Sequence, residues 1–434
     1  MRVLTKSVIG VLLCAAVLVL GVRDAAAPEV YLSITKGFGE KIIVAVPLFA
    51  GATGTVRDED MRSVLSTDLE YSGHFSVVEN LGFVDETEAD DRSSGRVAFP
   101  EWLALGAEVL VKGDVQSRGT ELALEAQVYD LGQGRSIFTK RYVAQPSQWR
   151  ALVHQLADDI VHNLTGEQGI ARSRIAFSSN VTGTKEIYVM DYDGENIRRV
   201  TKDGHAAMYP SWFPDNSAIA YTRFRAFGQE AVVIGLSTGA VRRLSWSPGL
   251  NAFTSISPKG GEALITLSRD GNPEIYRLRA DGSEPRRLTH GPSTESSPCW
   301  SPDGRRIAFV SDRSGSPQIY VTNAAGGSDE RMTYRGSYNT SPDWSPKGNL
   351  IAYTARIEGT YQICTVDVET KEVTTLTTGG GNKEDPSWAA DGRHVVYSVR
   401  SKKKTDLYML DIHDLVPVRL TSDAGDHESP AWSR

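Results

Sequence analysis

Gly235-Leu236-Ser237-Thr238-Gly239 has the G-x-S-x-G form of a hydrolase nucleophile. That motif works only on a strained strand-to-helix turn, with a His and an Asp brought alongside the serine. Here it falls between two strand-like stretches, where equivalent stretches carry Asp193-Gly194 and Asp281-Gly282, so it reads as a turn. The eight histidines, at 74, 154, 162, 205, 290, 394, 413 and 427, show no zinc spacing. His427-Glu428 lacks the second histidine of a metalloprotease helix. Asp191-Tyr192-Asp193-Gly194 begins like a calcium loop but has no Glu at the distal position. No catalytic set and no metal or cofactor motif emerges. The expectation is a protein that is not an enzyme and needs no cofactor.

Those residues sit on a repeat. Trp212, Trp300, Trp344, Trp388 and Trp432 share a 44-residue spacing, with Ile256 standing at the missing place. Ile175, Ile219, Ala263, Ile307, Ile351 and Val395 keep the same period, as do Ile187, Ala231, Ile275, Ile319, Ile363 and Leu407. A fourth series, Val200, Leu244, Leu288, Met332, Leu376 and Leu420, is usually followed by Thr. Around Trp300 each unit is a short extended segment, a turn at Asp303-Gly304, and three more strands separated by Gly-containing turns. Repeats of this size and strand count are propeller blades. Six units of 44 fill residues 171–434. The first unit lacks its tryptophan segment and the last stops just after one, which predicts a ring sealed by pairing the last strand with the first.

Residues 28–167 are expected to form a separate α/β domain, so the fold class is a two-domain α+β chain, an α/β domain followed by a six-bladed β-propeller over 168–434. Ile42 to Val46 and Phe75 to Val78 read as strands, and a helix starts at Asp58 with Met61, Val64, Leu65 and Leu69 on one face. Trp102 to Gly106 reads as a short helix before a strand at Glu108 to Val111. Leu122 to Tyr129 and Ile137 to Val143 form a hairpin. A last helix carries Trp149 to Leu164, capped by Ser147 and stopped by Gly166. Asp85 to Gly95, acidic and Ser-rich, reads as a mobile loop.

The net charge of −7 over 434 residues argues against a broadly basic nucleic-acid binder. Residues 28–167 hold 12 basic and 22 acidic side chains against 32 and 31 in 168–434, so the two domains present different surfaces. Arg2 and Lys6, the apolar run Val8 to Val22 and Ala25-Ala26-Ala27 make residues 1–27 an export leader. The remainder shows no membrane-length apolar run, so the mature protein is expected to be exported, not membrane-spanning and monomeric. Leu13 before Cys14 is wrong for a lipoprotein box. Cys299 and Cys364, the two cysteines beyond the leader, lie at different phases of the repeat and are expected to be buried free thiols.

Ten-residue connections at 202–211, 246–255, 290–299, 334–343, 378–387 and 422–431 link each outer strand to the next tryptophan segment, all on one rim. Their sequences differ, for example His205 to Met208, Leu250-Asn251, Ser293 to Glu295, Tyr338-Asn339, Lys383 to Asp385 and Asp426 to Glu428. Variable loops on a constant frame suit recognition.

The leader, the segment Glu29-Val30-Tyr31-Leu32-Ser33-Ile34, the α/β domain and six W-S-P-D-G…I-A-F…I-Y…L-T blades together resemble the TolB family. That family is periplasmic and belongs to the Tol–Pal envelope system of Gram-negative bacteria. The resemblance covers the whole chain. The blade motif alone is shared with tricorn-like and prolyl-peptidase propellers, and the domain order singles out TolB. It implies a non-catalytic protein that serves outer-membrane integrity and cell division. One propeller face would engage Pal, the peptidoglycan-associated lipoprotein, and the N-terminal segment would engage the inner-membrane protein TolA. Carried across, Glu29, Val30, Tyr31, Leu32, Ser33 and Ile34, within residues 28–35, correspond to the TolA-binding segment. Met208, Leu250, Phe253 and Ser296 correspond to Pal-facing positions. Met208 matches the family pattern, Leu250 and Phe253 depart from a His and a small residue, and Ser296 is a milder change. The competing readings are an exported propeller enzyme, cleaving peptide or polysaccharide, and a propeller that binds a small ligand in its channel.

Overall fold

A computed structural model of the chain describes residues 40–51 and 57–434, apart from the side chains of Phe253 and Thr254. The leader and the segment Glu29 to Ile34 lie outside the described residues. No helix among those described is long and apolar enough to cross a membrane.

The N-terminal region is one sheet with helices on both sides. Strand β1 (Ile42–Ala45) is followed by α1 (Asp58–Tyr71), β2 (Phe75–Val77), α2 (Leu81–Ser94), α3 (Phe99–Ala104), β3 (Val109–Arg118), β4 (Glu121–Asp130), β5 (Arg135–Ala144) and α4 (Trp149–Thr165). The sheet order is β2-β1-β3-β4-β5, with β1 parallel to both neighbours and the last three strands antiparallel. Strand alternation sorts the core. Val44, Val109 and Val111 face α1 and α4, while Ala45 and Leu110 face Val84 and Trp102 of α2 and α3. Asp58, Glu59 and Asp60 fill the first turn of α1, where the helix dipole favours acids, and Met61, Val64, Leu65 and Leu69 are buried as expected.

Three local expectations need correction. Residues 85–95, read as a loop, belong almost entirely to helix α2. Its inward stripe is Val84, Glu88 and Asp91, at helical spacing, but two of those three are carboxylates. Lys112 of β3 pairs with both, at 2.9 and 3.0 Å, and Asp91 also accepts from the Trp102 indole at 2.9 Å and the Ala98 amide at 2.7 Å. A buried stripe made of satisfied charges leaves no mark in an apolar pattern. The second correction concerns Ser147, which caps nothing: it lies in a 3₁₀ turn over Pro146–Gln148, and α4 begins without a side-chain cap. Its C-terminus does stop at Gly166, in the left-handed conformation that glycine adopts without a Cβ clash. Thirdly, α3 starts at Phe99, three residues earlier than Trp102, with Pro100 in its first turn.

The propeller consists of six four-stranded sheets. Numbering the blades along the chain and the strands A to D from the channel outward, blade 1 takes its B, C and D strands from Arg174–Ser179, Glu186–Asp191 and Arg198–Arg199. Its A strand is the last of the chain, His427–Trp432, with Trp432 opposite Ile175 and His427 opposite Ser179. The ring is closed as the repeat length implies. The Thr after the fourth series has a defined task. Its hydroxyl accepts the amide of Ile187, Ile275, Ile319, Ile363 or Leu407 at 2.9–3.0 Å. It also donates to Glu186, Glu274, Gln318 or Gln362 at 2.6–2.9 Å, and to Asp406 at 3.4 Å. This stitch stands beside D strands that in most blades are only two or three residues long. Cys299 and Cys364 are buried and unpaired.

Antiparallel meandering places the A–B and C–D turns on one face and the B–C turns and D–A connections on the other. The N-terminal domain covers the first face at blades 5, 6 and 1. Arg393, in an A–B turn, donates to the Gly73 carbonyl at 3.0 Å and pairs with Asp411 at 2.6 Å. Tyr192, in a C–D turn, donates to Asp68 of α1 at 2.7 Å, and Asp68 also bonds His154 Nδ1 of α4 at 2.7 Å. One apolar cluster runs unbroken from Met61 and Ile160 through Tyr192 to Leu420 and Trp432.

Candidate functional site

The uncovered face surrounds a cavity of about 710 Å³ lined by the A strands of all six blades. Because the repeat is constant, the lining comes in layers. The outermost holds Met208, Ala252, Ser296, Thr340, Glu384 and Glu428, one per blade. It is apolar or hydroxylic over blades 2 to 5 and acidic over blades 6 and 1. Leu250 joins it from the D–A connection. Three of the four residues assigned to this face thus meet in one wall. Phe253 lies in the strand Asn251–Ile256 opposite Ile265, and its side chain is not among those described.

The next layer is strained. Tyr209, Ser297, Ser341, Asp385 and Ser429 all have φ between 50° and 57°. Each sits at a register shift between the A and B strands, and blade 3 shifts between Phe253 and Ser255. Each of the five is followed by a proline, which has no amide hydrogen to leave unpaired at a bulge. A non-glycine residue at such φ costs ~1–3 kcal/mol, and such residues cluster at functional sites. The x-Pro-x-Trp pattern was visible in the sequence, but as an extended segment rather than as a bulge.

Asp385 is the electrostatic centre of this layer. It accepts from the hydroxyls of Ser341 at 2.8 Å and Ser429 at 3.1 Å, in the two adjoining blades. Burial pushes its carboxyl above the ordinary range, against those two donors. Glu384 is raised by burial and then by Asp385 beside it, and the Tyr209 phenol is raised for the same two reasons. Glu428 is held by Lys185 and by Arg400, the latter at 3.3 Å, so the acidic side of the mouth is partly neutralised. The lining contains no histidine. Ser237 lies in the tight turn after Gly228–Gly235, on the face opposite the mouth, closed by Gly239 donating to the Gly235 carbonyl at 2.8 Å.

The rim connections are not all free for recognition, which corrects part of the expectation above. Residues at one repeat position, Asn251, Glu295, Asn339, Lys383 and His427, are buried; four of them hold their D–A connections from within, and Glu295 ties its A strand to the end of the B strand and the B–C turn beside it. Asn251 donates to the Ser247 carbonyl at 2.7 Å and Asn339 to that of Arg335 at 2.8 Å. The Lys383 ammonium is wrapped by the carbonyls of Thr378, Gly379, Gly380 and Gly381 at 2.8–3.3 Å. His427 pairs with Asp423 at 2.7 Å, and Glu295 accepts from Ser311 at 3.0 Å and Arg313 at 3.1 Å. Their variety reflects different ways of satisfying the rim from within rather than contacts with a partner. Composition alone does not separate the two cases, because both look like variable polar residues.

One trio, Asp68, His154 and Asp193, brings its potential metal-ligating atoms within 4.8 Å. Asp68 is already bonded to His154 and Tyr192, and Asp193 to Arg150, so the group reads as a polar network closing the domain interface.

Residues 161–434 match the model of the TolB beta propeller domain, and residues 30–137 that of the TolB amino-terminal domain. The chain belongs to the TolB family. It is 32% identical over 257 residues to the Tol-Pal system protein TolB of Desulfosudis oleivorans, covering 58% of each chain. It is 33% identical over 277 residues to the protein TolB homolog of Chlorobium chlorochromatii, covering 63% of this chain and 61% of that one. The matched region thus spans about three fifths of the length of these curated relatives. The crystal structure of TolB from Acinetobacter baumannii superposes with a TM-score of 0.80 at 28% identity, over 93% of this chain and 99% of that one. The likeness to that structure therefore covers both domains and their order.

Proposed function

We propose that this chain is a non-catalytic, periplasmic interaction protein of the Tol–Pal system, binding a Pal-type lipoprotein at the channel mouth and TolA through residues 29–34. The observation that carries the reading is the mouth itself. Met208, Leu250 and Ser296, from neighbouring blades, share one wall on the face the N-terminal domain leaves open. Variable side chains there stand on a frame that the buried pins keep rigid, which suits recognition of a protein surface. Outer-membrane integrity and cell division would be the processes served. The role of residues 29–34 rests on the family resemblance, with the physical argument that a short strand-forming segment can add to a partner's sheet edge.

Calorimetry of the mature protein against the periplasmic domain of its own Pal-type lipoprotein tests this. Saturable binding that Leu250→Asp abolishes, with an unchanged melt, is the expected result. Absence of binding at tens of micromolar would overturn it and favour the small-ligand reading, for which a cavity of about 710 Å³ has room.

A further inference from the structure

The exposed aromatic side chains of the propeller are all on one face. Among the described residues these are Tyr209, Phe227, Trp246, Tyr334 and Tyr338. Tyr209 lies in the cavity wall, Phe227 is at a B–C turn, and the other three are in D–A connections. Among the described residues, the large apolar side chains exposed on the opposite face of the propeller are aliphatic, Ile197, Val241, Leu415 and Val416. Aromatic rings left in water are costly, and at one face of a rigid frame they mark anchors for a partner.

Apart from Tyr209, they fall into two groups on either side of the mouth. Phe227 (99% exposed) and Trp246 (58%) stand at the junction of blades 2 and 3. Tyr334 (67%) and Tyr338 stand at the junction of blades 4 and 5, where Tyr338 meets Tyr361 edge-on at 5.9 Å. The frame raises Phe227 itself and, in the other group, the hairpin bearing the Tyr361 that Tyr338 meets. In blade 1 the B and C strands stop at Ser179 and Glu186, leaving a six-residue loop. Blades 2 and 5 spend the same stretch on two further strand pairs, ending Arg225 opposite Gly228 and Ile357 opposite Thr360. Blades 2 and 5 are three places apart in a ring of six, so two upright hairpins face each other across the mouth. The anchors also carry charge. Arg243 lies over Trp246 at 5.9 Å and Arg331 over Tyr334 at 4.8 Å, and neither has an ion pair among the described residues.

We infer that the partner is gripped outside the mouth by two cationic aromatic anchors, Phe227 with Trp246 and Tyr334 with Tyr338, and is therefore a folded domain. It must be wide enough to reach both groups and must present aliphatic pockets with acidic groups beside them. This rests on the mouth being a protein-binding site. The charge pattern favours such an occupant over a basic peptide, which would be drawn to Glu384, Asp385 and Glu428 instead.

The test uses the mature chain and the periplasmic domain of its own Pal-type lipoprotein. Phe227→Ala/Trp246→Ala and Tyr334→Ala/Tyr338→Ala are made as two double variants, with Phe227→Ala alone as a variant whose side chain has no packing to lose. Each double variant is expected to melt normally and bind at least tenfold more weakly, with a shallower salt dependence once Arg243→Gln or Arg331→Gln is added. Wild-type affinity in both double variants, with Leu250→Asp still abolishing binding, would overturn the anchors and leave the mouth standing. Loss of binding with neither class of variant would overturn the mouth as well. Equal affinity for a short peptide cut from the partner would overturn the folded-domain occupant. A dimer in sedimentation that Phe227→Ala dissolves would assign the face to a second copy of this chain.

Discussion

The two faces of the propeller are built from the same repeat and have opposite characters. One is covered: α1 and α4 share an apolar cluster with blades 1 and 6, and its polar groups are paired across the interface, Asp68 with Tyr192 and Arg393 with the Gly73 carbonyl. The other is open: it carries the left-handed layer at Tyr209, Ser297, Ser341, Asp385 and Ser429, and the exposed aromatic groups. A propeller blade fixes where turns emerge, but not what they contact. Left-handed turn residues such as Asn196, Asn216 and Leu415 occur on the covered side as well, so what sets the open face apart is that its left-handed residues lie within the channel-lining strands and that the exposed aromatic residues gather there.

Opening the ring would remove the contrast altogether. Deleting residues 431–434 takes away Trp432, which is buried against the cluster shared by both domains and donates to the Ser173 hydroxyl at 2.7 Å. Burying a tryptophan contributes up to ~4–6 kcal/mol, so the melting temperature should fall by about 10 °C or more in scanning calorimetry. An unchanged melt would show that the 427–432 pairing does not close the ring.

A smaller change should separate the faces. Arg393→Ala leaves Asp411 buried without its partner and frees the Gly73 carbonyl, which should cost ~3 kcal/mol. Proteolysis between residues 165 and 174 should accelerate, while binding at the mouth is unchanged. Equal loss at both faces would mean that they are coupled through the ring.

The two faces should also respond to pH with opposite sign. Burial, with Arg393 beside it, holds the His74 imidazole down to about 4. Its charged form is disfavoured in the fold, so the covered face is most stable above pH ~6.5 and weakens as pH falls towards 4. His74→Gln should flatten that limb of the melting profile. Under the rim, burial raises Glu295 to about 7, against Arg313 and Ser311. A raised carboxyl contributes stability that is complete below its unfolded value, near 4.5, and is lost as pH rises through 7. Glu295→Gln should therefore melt a few degrees higher than the parent at pH 8 and about equally at pH 5. This is the smallest of the effects, and a parallel shift at both pH values would refute it.

Much of the scaffold is readable without coordinates. The tryptophan and isoleucine series at 44 residues count the blades, and the missing first tryptophan segment locates the closure. Helix α1 is legible because Met61, Val64, Leu65 and Leu69 are apolar at helical spacing. Helix α2 is not, because Glu88 and Asp91 take the inward places and are satisfied by Lys112 and Trp102, whose arrival depends on β3 and α3. The rim shows the same limit. Lys383 and Glu384 are neighbours of similar polarity, yet one is sealed under a glycine loop and the other lines the cavity.

The number of blades, their closure and the division into two domains are written in the residue pattern, because periodic apolar positions record which residues must leave water together. Which polar residues are pins and which line the cavity, which face the N-terminal domain covers, and that the exposed aromatic residues gather on the other, all came from the folded arrangement. Those outcomes depend on groups far apart in the chain meeting at hydrogen-bond distance, and a polar residue carries no mark of whether its partner will be protein, water or another molecule.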